Sequence, residues 1–211
     1  HLLYAKERNK AKLIVADPRL TRTAVKGDQH LPIRPGSDVA FVWGLLWHVF
    51  ENGWEDKQFI EQRVYGLDQV REEVKRWNPA EVERVTGIDE EQMYTAAKTL
   101  ATNKPGTVIW CMGGTQHTTG NNNTRAYCTL MLALGNMGVS GGGANIFRGH
   151  DNVQGATDFC VLSHSLPGYY GLSAGAWKHW SKVWDLDYGW VAGRFDQGSY
   201  EQSKGKPAKP M

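Results

Sequence analysis

Short apolar runs that end in polar turns alternate along the chain with longer segments of helical periodicity. Residues 12–16 and 107–112 are rich in β-branched and other apolar side chains, which predicts two buried strands of the parallel kind. A further short strand is predicted at residues 31–34, where Pro35 and Gly36 end it. Because helical segments separate these runs, the pattern predicts an α/β domain with a mostly parallel sheet flanked by helices.

The periodic segments predict helices, and one of them stands out by its hydrophobicity. The segment from Ser37 or Asp38 to Glu51 is apolar nearly all round, so we expect it to be deeply buried. Other helices are predicted near residues 2–11, 56–64, 68–77, 79–86, 89–103, 121–136 and 156–163. The aromatic tail from Gly168 is predicted to be irregular, and the Gly-, Lys- and Pro-rich end from Gln197 is typical of a linker.

Composition places the chain among ordinary globular proteins, with 41% apolar and 22% charged residues. A net charge of +2 gives no field that would attract nucleic acid, and no apolar run reaches the ~18 residues that span a bilayer. The chain begins at His1 inside a predicted helix, so we expect it to be a piece of a longer polypeptide. Cys111, Cys128 and Cys160 are widely spaced, which argues against an iron–sulfur or zinc site made by this segment alone and favours buried apolar positions.

Polar turns follow the predicted strands, and in an open α/β sheet such turns gather at the edge where ligands bind. The first turn contains Asp17 and Arg19, and the second leads into Asp38. Either carboxylate is suited to accept hydrogen bonds from ribose hydroxyls or from a guanine edge, although Asp38 is equally suited to cap the helix that follows. Arg19 suits a phosphate, with a solvated surface charge as the alternative. A third turn, at residues 113–117, ends in His117.

The most polar of these segments is residues 141–155, which open with three consecutive glycines. Arg148 offers a planar cationic fork for a carboxylate or phosphate, and Asn145, Asn152 and Gln154 each offer a donor and an acceptor. The segment is therefore suited to surround a large polar ligand, with a plain surface loop as the alternative. The chain contains no Gly-x-Gly-x-x-Gly or Walker sequence, and no cluster of histidine, cysteine and aspartate has metal-ligand spacing.

Four segments, taken in chain order, resemble the molybdopterin oxidoreductase (dimethyl sulfoxide reductase) family. They are Val-Ala-Asp-Pro-Arg at 15–19, Pro-Ile-Arg-Pro-Gly-Ser-Asp at 32–38, Gly-Gly-Thr-Gln-His at 113–117 and Asn-Ile-Phe-Arg-Gly-His-Asp-Asn-Val-Gln-Gly at 145–155. The Thr-Gln-His and Arg-Gly-His-x-Asn forms are most similar to the catalytic (alpha) subunit of formate dehydrogenases. The resemblance covers residues 1–172, and the ordered set is specific although each motif alone is weak.

The resemblance implies a Rossmann-like three-layer domain over residues 1–149 that binds molybdopterin guanine dinucleotide, followed by the start of an adjacent α/β domain in residues 150–211. It implies a bis-molybdopterin guanine dinucleotide that holds Mo or W, and oxidation of formate to CO2 with Arg148 beside the metal as the catalytic residue. The cofactor-binding positions that carry over are Asp17, Arg19, Gly36, Asp38, Met112, Gly113, Gln116, His117, Asn145, Gly149, Asn152 and Gln154.

The resemblance also implies components that this segment does not supply. The family's metal-binding cysteine or selenocysteine, and the cysteine motif for its 4Fe–4S cluster, lie upstream, so the segment alone is expected to be inactive. The implied partners are formate, an iron–sulfur electron-transfer subunit and a membrane cytochrome subunit, with a periplasmic location or, alternatively, a cytoplasmic one. Two other functions stay open: a different bis-pterin enzyme of the nitrate reductase kind, and a non-catalytic scaffold paralogue.

Overall fold

The computed structural model of the chain describes residues 1–160 and 165–195. The chain forms two compact units, one over residues 1–147 and a second that begins at Arg148. Each unit has its own cluster of buried apolar side chains.

The first unit combines eight helices with four short strands. The strands are β1 (Ile14–Ala16), β2 (Gln29–Leu31), β3 (Thr107–Trp110) and β4 (Gly143–Ile146). The helices are α1 (Leu2–Asn9), α2 (Asp38–Glu51), α3 (Lys57–Arg63), α4 (Leu67–Val74), α5 (Pro79–Thr86), α6 (Glu90–Thr102), α7 (Met112–Thr115) and α8 (Gly120–Ala133). A 3-10 turn, Ala24–Lys26, separates β1 from β2.

The strands pair in parallel, which confirms the predicted α/β class. Ile14 lies opposite Gln29 in the β1–β2 pair, and Thr107 lies opposite Gly143 in the β3–β4 pair. Among the described residues these are two separate two-stranded sheets. Because the strands of each pair run in the same direction, the segments that follow them leave their sheet at a common edge.

Helix α2 is the centre of the core, as its sequence predicts. It contacts α4, α5, α6 and α8, and Leu46 and Val49 on it are fully buried. A Cβ at Gly44 would lie 2.7 Å from Val82 Cγ1, so glycine permits the close approach of α5. Glycine within a helix costs about 0.5–1 kcal/mol relative to alanine. Burying one leucine or valine side chain contributes about 1.5–3 kcal/mol, so the close packing outweighs that cost.

Local capping explains where the surrounding helices begin and end. The side chains of Asp56, Asn78 and Asp89 each accept a hydrogen bond from a backbone N–H three residues further on. Pro79 occupies the first turn of α5, and Gly87 ends that helix in the left-handed conformation, with φ 80°. These boundaries confirm the predicted start and end of α5.

The structure differs from the predictions where the chain leaves β2 and α4. Strand β2 spans Gln29–Leu31 rather than residues 31–34, because the amide of Arg34 donates to the carbonyl of Thr86 at 3.0 Å instead of continuing the ladder. Helix α4 ends at Val74 rather than at Trp77, since the Trp77 amide bonds to Val74 and closes a tighter turn.

Two of the predicted polar turns contain regular structure. The glycine-rich segment at 141–155 is not one loop, because Gly143–Ile146 form β4 against β3. The segment after β3 is not a plain turn either, since Met112–Thr115 form the short helix α7. The sequence did not predict this strand, because glycine and asparagine are both depleted in strands and favoured in turns.

The described residues of the second unit form three helices and a small antiparallel pair of strands. Its elements are α9 (Val153–Asp158), β5 (Ser165–Leu166), a 3-10 turn (Pro167–Tyr169), β6 (Tyr170–Gly171), α10 (Ala174–Val183) and α11 (Tyr188–Phe195). The helix predicted at 156–163 begins earlier, at Val153, and ends at Asp158. Positions 161–163 of the prediction lie outside the described residues.

The prediction of an irregular aromatic tail is wrong for residues 174–195. Helix α10 begins where the Ser173 side chain accepts a hydrogen bond from the Ala176 amide, and it buries Trp177. Leu166 and Val191 complete the small core of this unit. The linker predicted from residue 197 lies outside the described residues.

Exposure corrects one further expectation. Cys160 is buried, but Cys111 and Cys128 are only partly buried, so they are not the core positions that the sequence predicts. In the part of the chain that the structure describes, no helix is both long and apolar enough to cross a membrane.

Burial of His48 makes the stability of the first unit sensitive to pH. The ring of His48 lies edge-on to Trp47 and Tyr94, and the residue is 3% exposed. Burial lowers the pKa of His48 from its ordinary value of 6.5, while the charge of Glu90 acts in the opposite direction. The unfolded chain therefore binds this proton more readily than the folded chain.

We predict that His48 makes the protein less stable in mild acid. The stability that the neutral ring contributes is fully present above the unfolded pKa and is lost as the pH falls through the window below it. The thermal midpoint of the intact protein should fall between about pH 7.5 and about pH 5.5, and less steeply for His48→Phe, which keeps a ring but does not titrate. Calorimetry at several pH values measures both slopes; identical slopes would contradict the prediction.

Candidate functional site

The edge where β1 ends carries Asp17 and Arg19. The carboxylate of Asp17 accepts a hydrogen bond from the Arg19 amide at 2.8 Å, which holds the turn after the strand. The backbone carbonyl of Asp17 also contacts the ring nitrogen Nε2 of His30 on β2, at 2.9 Å. The turn is thus fixed from two sides while the Arg19 side chain stays exposed.

The edge where β2 ends leads into the N-terminus of α2. Gly36 adopts φ +83° and a Cβ there would meet nothing within 4 Å, so the backbone is open to an approaching group. Ser37 precedes α2, but its hydroxyl donates to the carbonyl of Arg34 at 2.6 Å and makes no capping bond. Because no side chain caps α2, its first amides remain available to an acceptor.

Asp38 is the first residue of α2, and its carboxylate is held from a distant part of the chain. The hydroxyl of Tyr127 on α8 donates to Asp38 Oδ1 at 2.8 Å. Burial raises the pKa of Tyr127 above its ordinary value of 10, and the hydrogen bond to Asp38 and its charge raise it further. The phenol is therefore the donor in this pair, and Asp38 is not the simple helix cap that was the alternative.

The edge where β3 ends is formed by α7 and packs against α8. The side chain of Asn123, which is 1% exposed, donates to the carbonyl of Gly114 at 2.9 Å. A Cβ at Gly114 would lie 2.9 Å from the Tyr127 hydroxyl and 3.4 Å from the indole of Trp110. A Cβ at Gly113, by contrast, would meet nothing within 4 Å. The helix α7 thus presents one glycine to the core and one to open space.

The other predicted residues of this edge are exposed. The Gln116 amide donates to the sulfur of Met112 at 3.3 Å, and His117 Nε2 lies 2.8 Å from the carbonyl of Gly113. On β4, the Asn145 amide donates to the Thr107 hydroxyl at 2.6 Å. These bonds fix the side chains locally while leaving further donors and acceptors free.

The remaining predicted residues belong to the second unit. Arg148 Nη1 donates to the Thr157 hydroxyl at 2.7 Å, and within residues 1–160 and 165–195 no carboxylate forms an ion pair with it. Asn152 precedes α9 with φ 52° and accepts a hydrogen bond from the Gly155 amide. The Gln154 amide donates to Asp158 at 2.9 Å. Gly149 is exposed in the turn before them.

Sequence reasoning missed three residues that shape the first unit's part of the site: Trp110, Asn123 and Tyr127. From the sequence, Trp110 and Tyr127 are expected to be apolar core residues. In the structure their ring centroids lie 5.1 Å apart. Tyr127 nevertheless places its hydroxyl on Asp38, and the buried indole nitrogen of Trp110 has no hydrogen-bond partner among the described residues. A buried tyrosine or tryptophan carries a polar group that needs a partner, and this is the feature that would have indicated them.

These groups fit a large polar ligand better than a bare metal ion. The open backbone at Gly36 and Gly113 leaves room for a ligand to approach closely. Among the residues that the structure describes, no three histidine, cysteine or acidic side chains cluster as metal ligands. The described groups at this edge of the first unit are hydrogen-bond donors and acceptors, which a polar ligand would need.

Comparison with protein families agrees with that chemistry. The molybdopterin oxidoreductase family model matches residues 1–185. The chain belongs to the molybdopterin oxidoreductase family. This confirms the family resemblance of the four motifs, and a molybdopterin cofactor follows from membership.

Formate dehydrogenases are prominent among the relatives of this molybdopterin oxidoreductase chain. It is 36% identical to the F420-dependent formate dehydrogenase subunit alpha of Methanocaldococcus jannaschii over 186 residues, which cover 88% of the chain and 27% of that relative. It is 35% identical to the formate dehydrogenase-O major subunit of Escherichia coli over 224 residues, with 80% and 22% covered. It is 34% identical to formate dehydrogenase H of the same organism, with 89% and 26% covered. The chain thus spans about a quarter of the length of these relatives.

A solved structure supports the fold. Acetylene hydratase from Pelobacter acetylenicus aligns with a TM-score of 0.62 at 30% identity, over 64% of this chain and 19% of that protein. The two chains therefore share a fold, while the name of that protein describes a different reaction from that of the formate dehydrogenases.

The two neighbouring glycines of α7 give a matched test of this geometry. We predict that Gly114→Ala destabilises the cofactor-free intact protein by about 1–3 kcal/mol, because its Cβ would crowd the rigid rings of Tyr127 and Trp110. Gly113→Ala should leave that stability within about 0.5 kcal/mol and instead reduce the amount of cofactor bound, because its Cβ would occupy the open space. Urea unfolding and pterin content measure the two effects. Equal loss of stability in both variants would refute the assignment of the two faces.

Proposed function

We propose that this chain is part of the catalytic subunit of a molybdopterin-dependent formate dehydrogenase that oxidises formate to CO2. The names of the relatives support the reaction. The observation that carries the proposal is that the Arg148 guanidinium is anchored but has no ion-pair partner among the described residues. This arginine lies in the Arg-Gly turn with one guanidinium nitrogen anchored to Thr157, and no carboxylate among the described residues neutralises it. A fixed and uncompensated guanidinium is suited to bind a small carboxylate such as formate.

The first unit would hold the cofactor through groups that are already oriented. Asp17 and Asp38 present carboxylates, and Gly36 presents open backbone. Together with the uncapped first amides of α2, these groups suit the guanine dinucleotide ends of the cofactor. Gly113 offers open backbone on the pterin side, with Gln116, His117 and Asn145 as polar neighbours on the same unit. A bound bis-pterin group with Mo or W would supply the acceptor for the two electrons that leave formate.

Arg148 acts on the substrate by orientation and charge. Formate, HCOO⁻, becomes CO2 by losing one proton and two electrons, and the carboxylate is the only group by which the substrate can be recognised before it reacts. The guanidinium nitrogens that Thr157 does not occupy can bind both formate oxygens and fix the direction of the C–H bond. The positive charge of the guanidinium also attracts the negatively charged substrate.

The electrons are then proposed to pass to iron–sulfur clusters, first to a 4Fe–4S cluster of the longer polypeptide and then to an electron-transfer subunit. A membrane cytochrome subunit and a periplasmic location complete this proposal, with a cytoplasmic enzyme as the alternative. Metal analysis, formate-dependent dye reduction and cell fractionation of the intact parent protein test these points together.

Two other functions are distinguished by the same assay. A nitrate reductase-like enzyme would contain the bis-pterin cofactor but would reduce nitrate rather than oxidise formate. A scaffold paralogue would contain neither cofactor nor activity. The structural likeness to acetylene hydratase adds acetylene as a substrate to be assayed, because the shared fold does not select the reaction.

We predict that Arg148→Lys in the intact enzyme lowers kcat/KM for formate by about 100-fold while Mo or W content stays unchanged. A lysine ammonium keeps the charge but cannot form the planar two-point contact, and misplaced substrates lose about this factor. Arg63→Lys is the matched control, because Arg63 is an exposed arginine at the end of α3, outside the site. Unchanged formate kinetics in Arg148→Lys would remove Arg148 from the substrate site.

We also predict that Asp38→Ala reduces the cofactor content of the purified intact enzyme. The variant loses the carboxylate that faces the nucleotide end of the proposed site. Asp68→Ala is the control, since Asp68 is likewise an acidic residue in the first turn of a helix, α4, and the general effect of removing such a charge is only about 0.3–1 kcal/mol. Full cofactor loading of Asp38→Ala would return Asp38 to a purely structural role.

A further inference from the structure

The hydrogen bond between Tyr127 and Asp38 joins two parts of the first unit that lie 89 residues apart in the sequence. Asp38 begins α2 after β2, whereas Tyr127 lies on α8 beside the segment that follows β3. The bond therefore ties the ligand-facing edge of one parallel pair to the helix that packs beneath the edge of the other.

Tyr127 is held rigidly, so it is able to fix its partner. The residue is 9% exposed, and its ring packs against Trp110 with the two planes inclined by 50°. Gly114 leaves just enough room for the phenol, because any Cβ there would lie 2.9 Å from the hydroxyl. The carbonyl of Gly114 is itself fixed by the amide of Asn123. A tyrosine confined in this way presents its hydroxyl in one direction.

Asp38 keeps unused hydrogen-bonding capacity on its other side. Tyr127 bonds Oδ1, and among the described residues no group donates to Oδ2. A carboxylate has about four acceptor positions, so a ligand with two adjacent N–H or O–H donors has room to bind. Because the carboxylate is already oriented, binding of the ligand does not incur the entropy cost of fixing that side chain.

We propose that Tyr127 is a positioning residue that orients the Asp38 carboxylate to receive the paired donors of a nucleotide, either the guanine edge or the ribose diol. This inference rests on the proposed function, in which Asp38 faces the dinucleotide end of the cofactor. It adds that the affinity of Asp38 for the nucleotide depends on a hydroxyl that contacts Asp38 and not the ligand.

The test is a double-mutant cycle in the cofactor-free, full-length protein, with GDP as the probe and calorimetry as the measurement. Tyr127→Phe keeps the ring against Trp110 and removes only the hydroxyl. We expect it to raise the Kd for GDP about three- to tenfold, the range that one net hydrogen bond supports. Asp38→Ala should raise the Kd further, and adding Tyr127→Phe to Asp38→Ala should have no additional effect.

A merely structural role for Tyr127 would give additive effects on the Kd, and that result would overturn the inference. Tyr94→Phe is the matched control, because Tyr94 is a partly buried helical tyrosine on α6, outside the site, and it should leave the Kd unchanged. The thermal midpoints of all variants are recorded so that loss of folding is separated from loss of binding.

Related nucleotides distinguish the two donor pairs. Weaker binding of IDP, which lacks the amino group, assigns Asp38 to the guanine edge, and weaker binding of 2′-deoxy-GDP assigns it to the ribose. Failure of the wild-type protein to bind GDP would overturn the inference, and formate oxidation with a bound pterin would then still support the proposed function. Absence of pterin and of formate activity in a protein that binds GDP through Asp38 and Tyr127 would refute only the proposed function.

Discussion

The burial of α2 on nearly all sides is the constraint on which the first unit depends. Four helices contact α2, and Leu46 and Val49 lose all contact with water. Burial of α2 fixes the position of its N-terminus, which follows β2 and Gly36 in the chain. The position of this N-terminus therefore depends on hydrophobic packing.

Polar contacts then refine the ligand-facing edge. Tyr127 reaches Asp38 from α8, and Asn123 on the same helix holds Gly114 after β3, so one helix fixes the exits of both parallel pairs. Each of these bonds is formed by a buried side chain, where an unmet donor would cost about 1–3 kcal/mol.

The chemistry of the proposed enzyme is divided between the two units. The first unit carries most of the groups assigned to the cofactor. The second unit carries the others, Gly149, Asn152 and Gln154. It also carries Arg148, whose guanidinium is anchored by Thr157. The family places these elements within a longer polypeptide, of which this chain matches about a quarter in its relatives.

Sequence reasoning succeeded where local physics decides the structure. Helix α2 was predicted from its apolar residues, α5 from Pro79 and Gly87, and β1 and β3 from β-branched runs, because each pattern acts over a few neighbouring residues. It failed for β4, whose glycine and asparagine have low strand propensity and are ordered only by pairing with β3. It failed also for the helices after Gly168. These helices are stabilised because Trp177 on α10 and Val191 on α11 are buried in one small core.

The candidate site divides in the same way. The sequence by itself determined the family and the α/β class, and it supplied the residues of the proposed site. The motifs at 15–19, 32–38, 113–117 and 145–155 are local and can be identified in chain order. Only the tertiary structure decided that Tyr127 is the hydrogen-bond partner of Asp38 and that its ring packs against Trp110. No local pattern joins residues 89 positions apart, because their contact is created by the packing of α2 and α8.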